Sequence, residues 1–201
     1  VRDVGLTQTR MPDDFLHELP NMLDALDSPT LDGINTYVVS KMTRKAGVTV
    51  ALSGLGGDEL FAGYATFRRF FHWKNHFLWK IPAPLRHVAG TPLEWLGHST
   101  KIRRMGELLN VPAFDLDFVY PQFRGIYDKR TVAKMLGQEP VPNPVFTFLH
   151  QHRDMIQRLP LLSQYSVGEM CGYTTHMLLK DTDQMSMASG LEVRVPFFDN
   201  D

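Results

Sequence analysis

The stretch that most constrains this chain is the junction at residues 48–64, "VTVAL" followed directly by "SGLGGDELFAGY". The first five residues are apolar or β-branched with no polar alternation, the pattern of a strand covered on both faces of a parallel sheet. Three glycines follow, and then two carboxylates that begin a helical pattern. Strand, glycine loop and helix form an α/β unit, and open α/β sheets bind ligands at the carboxyl ends of their strands. Glycine admits positive φ and close approach of a ligand. Successive N–H groups in such a loop cradle phosphate, and a helix start adds partial positive charge. Asp58 and Glu59 would repel a bare phosphate but suit one carrying Mg²⁺, whose usual shell is carboxylate and phosphate oxygen. The junction therefore points to a Mg-nucleotide. A plain strand-to-helix turn, with the two acids stabilising the first helical turn, explains the spacing equally well. The loop is neither a Walker A nor a GxGxxG fingerprint, since the Lys-Ser/Thr and the glycine spacing are missing.

Around this junction the chain reads as mostly α-helical with one or two short parallel strands. Leu19, Met22, Leu23 and Leu26 share helical spacing, and Pro20 is expected to divide them into two short helices. "SPTLDG" (28–33) is a turn cluster, Asn35 is a candidate cap for the next helix, and Gly47 is placed to end it in the left-handed region. "IPAPLRHVAGTP" (81–92) reads as a Pro-rich break, residues 102–136 as several short helices and 137–144 as a loop. From 161 to 189 a helical pattern returns with Val167, Met170, Cys171 and Leu178 on one stripe, and 192–197 is a second candidate strand.

The totals exclude several classes. The 201 residues carry a net charge of −1, which selects neither nucleic acid nor an anionic membrane. A single cysteine forbids an internal disulfide and fits a reducing, cytoplasmic setting. No apolar run reaches the ~18 residues needed to span a bilayer, and "VRDVGLTQTR" lacks the apolar core of a signal peptide. The chain begins without Met and ends on "RVPFFDND", just after an apolar run, which reads as part of a longer protein.

"SGLGGDELFAGY" resembles the SGxGxDExFxGY motif of the asparagine synthetase family, in its ATP-pyrophosphatase synthetase domain. "LLKDTDQMSMASGLEVRVPFFD" (178–199) resembles the family's D-x-x-SMA-x-x-LE-x-RVPF-x-D block, and "LDSPTLDGINTYVVSK" (26–41) its D-x-P…TY-x-x-S stretch. The resemblance runs in order from 26 to 199. It implies one partial domain over 1–201, belonging to an α/β fold of the adenine-nucleotide α-hydrolase (PP-loop) type. It implies adenylation of an acceptor carboxylate such as aspartate by ATP and Mg²⁺ with release of pyrophosphate, then amidation by ammonia from a glutaminase domain. Mapped by motif, Ser53, Gly54, Gly56 and Gly57 would contact nucleotide, Ser53 and Gly54 through their backbone. Asp58 and Glu59 would hold the metal, and Tyr64 would lie near the acyl group. A functional reading puts Asp181 and Asp183, with Glu192 and Arg194, beside the acceptor pocket; a helix end with a structural Glu192–Arg194 network is the alternative, preferred for Asp181 and of equal weight for Asp183 and Arg194. A β-branched residue at Gly57 is expected to damage the loop more than Leu55→Ala.

Leu55 departs from the family, which places Glu there, and this opens the acceptor to carboxylates other than aspartate. The SGGxDS loop would lie upstream of residue 1 and a stabilising Lys beyond the RVPF segment, and the glutaminase cysteine has no counterpart here. A β-lactam synthetase-like ligase, another amidotransferase of the family, and a non-catalytic helical interaction module remain alternatives. No nucleic acid or membrane partner is expected, whereas a homodimer would cover an exposed strand edge. His72 and His76 have metal-ligand spacing but no third ligand. The aromatic-basic stretch "FRRFFHWKNHFLWK" fits core packing with Arg and Lys reaching out to water.

Overall fold

The computed structural model describes residues 12–30, 32–139 and 143–199. The amino-terminal ten residues, and part of the loop expected at 137–144, lie outside them. The chain packs as two compact units. Residues 1–57 and 173–201 form the first, and 58–172 the second.

In the first unit, α1 (Pro12–Asp24) and α2 (Gly33–Lys45) precede strand β1 (Val50–Leu52). Helix α12 (Leu179–Ala188) and strand β2 (Glu192–Arg194) complete it. The strands are parallel, with Val50 opposite Glu192 and Leu52 opposite Arg194. Both expected strands thus exist and are parallel, but the burial expected of β1 does not hold. Val50 and Leu52 are exposed, because the two-stranded sheet leaves their side of the pleat uncovered.

Helix α1 runs through Pro20 instead of breaking there. The lost N–H bond is outweighed by packing of the apolar stripe, with Met22 buried against Tyr37 and Met185. Asn35 does not cap α2, which begins two residues earlier. The Thr30 hydroxyl accepts from the amides of Asp32 and Gly33 at 3.2 and 3.0 Å. Gly47 does follow α2 with φ +88°.

The second unit holds α3 (Gly57–Phe61, shared with the first), α4 (Ala65–Lys74), α5 (Ala83–Leu96), α6 (Thr100–Leu109) and α7 (Leu116–Arg124). Helices α8 (Lys129–Leu136), α9 (Pro144–Gln151), α10 (Arg153–Ile156) and α11 (Leu161–Glu169) follow. Its core is aromatic: Phe67 and Phe70 of the Phe/Arg stretch pack on Tyr165 with ring centroids 4.8 and 4.7 Å apart. Arg68 is exposed, and Arg69 reaches over the surface to the Phe123 carbonyl at 2.9 Å. The expected Pro-rich break is helix α5. Pro84 sits in its first turn, where a missing N–H costs nothing, and the later Pro92 is accommodated within it. Helix α5 is clasped to α6 by facing glycines: a Cβ on Gly106 would come 2.6 Å from the Gly90 carbonyl. The buried Arg86 ties this hairpin to its neighbours, donating to the carbonyls of Leu109, Val111 and Pro112 at 2.9–3.0 Å. Burial holds its pKa below the usual guanidinium value.

Residues 170–178 continue α11 into α12 with wide π-type winding. This shifts the buried face off the 3.6-residue stripe expected for the segment. Leu178 is buried as expected, but Val167, Met170 and Cys171 are half-buried, while Gly168, Gly172 and Thr174 face inward. The two glycines receive Tyr120: a Cβ on either would meet its ring or hydroxyl at 2.8 or 2.6 Å.

Candidate functional site

The loop at 53–57 leaves β1 at its carboxyl end, and its anchors come from β2. The Ser53 amide donates to the Arg194 carbonyl at 2.8 Å, extending the ladder by one residue. The Ser53 hydroxyl accepts from the Leu55 amide at 3.2 Å, and the Gly57 amide closes the turn on the Gly54 carbonyl at 3.1 Å. Among the described residues nothing accepts from the amides of Gly54 and Gly56. These two, rather than Ser53, are the loop donors left for a ligand.

Positive φ falls on Gly56, at +95°, and not on Gly57. A Cβ on Gly56 would meet the Phe198 ring at 2.6 Å and Phe197 Cβ at 3.0 Å, whereas one on Gly57 would make an ordinary 3.6 Å contact. Gly54 has open space around it. The position intolerant of a side chain is therefore Gly56, a correction to the weight placed on Gly57. The sequence signal that could have found it is the FF pair after RVP, which supplies the lid.

The third motif segment also closes on α12. The Thr30 hydroxyl donates to the buried Asp181, Gln184 donates to Asp27, and Lys180 reaches Ser28 Oγ at 3.3 Å. Asp181 is thus structural, as expected. Asp183 is exposed on α12, with its carbonyl accepting from the Ser186 hydroxyl. The Arg194 side chain is exposed and pairs with Glu192 at 2.8 Å. All three motifs lie in the first unit up to Gly57, and the remainder of the glycine motif opens the second.

There, α3 separates its two carboxylates. Asp58 is exposed, while Glu59 is 1% exposed and its Oε1 accepts from the Tyr64 hydroxyl at 2.8 Å. Helix α3 ends with Ala62 in the left-handed region, φ +59°, and the Gly63 amide on the Asp58 carbonyl at 2.9 Å. That is a Schellman closure. Any side chain on Gly63 would collide with the Asp58 carboxylate, so the closure and the glycine together fix where Asp58 sits. The Tyr64 ring lies 5.4 Å from the Arg124 guanidinium, which forms a two-pronged pair with the buried Glu169. Burial would lower the Arg124 pKa, but the Glu169 carboxylate overrides it and holds the guanidinium above its usual value. Burial beside Glu169 pushes the neighbouring Tyr165 phenol up in the same way.

Of the expected metal pair, Glu59 does not fit the role, since its carboxylate is buried and already bonded to Tyr64. Asp58 fits, as an exposed hard oxygen donor next to the glycine loop in sequence. Among the described residues no group of three His, Cys, Asp or Glu side chains converges on one point. His76 caps the turn at 77–80, with Nδ1 accepting from the Leu78 amide at 3.4 Å.

The asparagine synthase family model matches residues 7–201. The chain is 30% identical over 204 residues to asparagine synthetase [glutamine-hydrolyzing] 1 of Bacillus subtilis, covering 97% of this chain and 30% of that protein. It is 30% identical over 207 residues to a putative asparagine synthetase [glutamine-hydrolyzing] of Mycobacterium bovis, covering 93% of this chain and 28% of that one. A putative asparagine synthetase of Methanocaldococcus jannaschii is 49% identical over 61 residues, 30% of this chain and 11% of its own length. No solved structure matches the chain. This chain belongs to the asparagine synthase family, and it spans under a third of the length of the relatives that match it most fully. No described helix is long and apolar enough to cross a membrane.

Proposed function

We propose that this chain forms part of an ATP-dependent amide-forming ligase of the asparagine synthetase type. The reaction would adenylate a small carboxylate such as aspartate, release pyrophosphate, and pass the acyl group to ammonia derived from glutamine. The observation that carries this reading is the seating of Gly56 beneath Phe198. A left-handed glycine is sealed on one side by aromatic rings, and the Gly54 and Gly56 amides remain uncommitted among the described residues. Uncommitted amides in a turn of this kind form the concavity that phosphate oxygens accept from.

In this reading the two amides donate to phosphate oxygens. Asp58, held by the turn at Ala62 and Gly63, would hold Mg²⁺, which supplies charge neutralisation on the phosphates. Glu59 takes no part in the metal shell and instead orients Tyr64 toward the acyl group. Asp183 and Arg194, both exposed, are the first-unit side chains we assign to the acceptor carboxylate. Leu55 leaves the acceptor open to carboxylates other than aspartate. The test is pyrophosphate release by the intact gene product with ATP, Mg²⁺, ammonia and a panel of carboxylates. Turnover with one acceptor supports the reading. ATP binding without pyrophosphate release from any acceptor would favour the non-catalytic alternative.

A further inference from the structure

A second polar cleft lies wholly within the second unit, among α4, α6 and α7, and involves none of residues 53–59. It is an open groove of about 190 Å³ whose wall includes Arg69, Lys101, Arg104 and Trp73 beside apolar Met105 and Leu108, with no carboxylate. Elsewhere in the same unit three arginines face acids, while the buried Arg86 has its whole fork engaged by backbone carbonyls. Arg103 pairs with Asp128, Arg124 with Glu169 and Arg153 with Asp115. The cleft cations do not. Arg69 donates one N–H to the Phe123 carbonyl at 2.9 Å and lies 5.0 Å over the Phe123 ring. Arg104 donates one to the Gln122 carbonyl. Each guanidinium is thereby pinned by a single bond, and the rest of its fork has no partner among the described residues. Lys101, exposed in the first turn of α6, has none at all among them. Three like charges gathered around one concavity repel each other, on a chain whose net charge is −1. A structural arginine such as Arg86 engages both arms of its fork, which Arg69 and Arg104 do not.

We propose that this cleft binds a small phosphorylated ligand bearing a flat ring. Two pinned guanidinium forks and an ammonium match a tetrahedral dianion better than a single carboxylate. Trp73 lines the cleft, and its indole is the surface we assign to the ligand's ring. The volume exceeds the ~150 Å³ that holds a benzene ring in an apolar cavity, which leaves room for the head group at the rim.

The probe is phenyl phosphate, titrated calorimetrically into the intact gene product beside inorganic phosphate, phenol and benzoate. Phenyl phosphate should bind in the sub-millimolar range, about ten-fold tighter than each of the others, and weaken as salt rises. Lys101→Met removes an ammonium with no hydrogen bond or ion pair among the described residues, so it should leave the melting temperature unchanged while weakening phenyl phosphate about ten-fold. Lys101→Glu should abolish binding, and Trp73→Leu should reduce phenyl phosphate to the affinity of inorganic phosphate. No heat at ~10 mM phenyl phosphate would overturn the proposal. So would unchanged binding in both Lys101 variants, the result expected if the probe sat at the glycine loop instead. Equal affinity for phenol would overturn the anion site, and equal affinity for benzoate would overturn its assignment to phosphate.

Discussion

The Tyr64 hydroxyl donates to Oε1 of the buried Glu59 at 2.8 Å, five residues back along the chain. The bond spans the end of α3 and the start of α4, so it sets the angle at which the chain leaves the Asp58 turn. Tyr64→Phe removes a donor from a buried carboxylate, which costs about 1–3 kcal/mol. A correspondingly lower melting temperature is expected, with Glu59→Gln milder because its side-chain oxygen still accepts. An unchanged melting temperature for Tyr64→Phe would show that other contacts of Glu59 carry the turn.

At the glycine loop, Gly56→Ala should destabilise the protein by about 2 kcal/mol or more, from a side chain forced to positive φ and driven into Phe198. Gly57→Ala and Leu55→Ala should each stay within about 1 kcal/mol. Denaturant unfolding of the three variants checks the order. Equal effects would mean that the aromatic lid moves aside at no cost.

Asp58→Asn should lower Mg²⁺-dependent pyrophosphate release on the order of 10²-fold in the intact gene product. Asp58 is exposed, so the melting temperature should hold. Glu59→Gln is expected to retain most metal dependence, measured as activity against Mg²⁺ concentration. Comparable losses of Mg²⁺ affinity in both variants would return Glu59 to the metal shell.

Asp128 caps α8, accepting from the Thr131 amide at 3.0 Å and hydroxyl at 2.7 Å, and pairs with Arg103 at 2.8 Å. The Arg103 guanidinium, followed by the Thr131 bonds, holds its carboxyl well below the usual carboxylate range. A depressed folded-state pKa stabilises the fold above the ordinary carboxylate pKa, and that stability drains as pH falls below it. Asp128→Asn should therefore lower the melting temperature at pH 7 and flatten its decline below about pH 4. Parallel curves for the two proteins would remove Asp128 from the acid response.

Local chemistry was legible where one residue type decides the backbone. Gly47 ended its helix, the β-branched run at 48–52 contained a strand, and 192–197 contained its partner. The sequence reading failed where packing outranked local preference. Pro20 and Pro92 sit inside helices because apolar stripes and a glycine clasp hold those segments together. The stripe at 167–178 was misplaced because a π-wound turn carries no mark in hydrophobic spacing. At the site, the residue types were readable but not their division of labour. Which of Asp58 and Glu59 faces water depends on Tyr64, and which glycine is indispensable depends on Phe198.

Strands β1 and β2 pair although the whole second unit lies between them in sequence, and the glycine loop depends on that pairing for its Ser53 anchor and its Phe198 lid. The helical insert makes its closest pairings between neighbours in sequence, α5 with α6 above all. Contacts between sequence neighbours form quickly, while those between distant segments wait on the entropy of closing a long loop. The loop is accordingly among the last parts of the chain to take shape. A mutation that slows strand pairing would delay ligand competence while leaving the early helical signal intact.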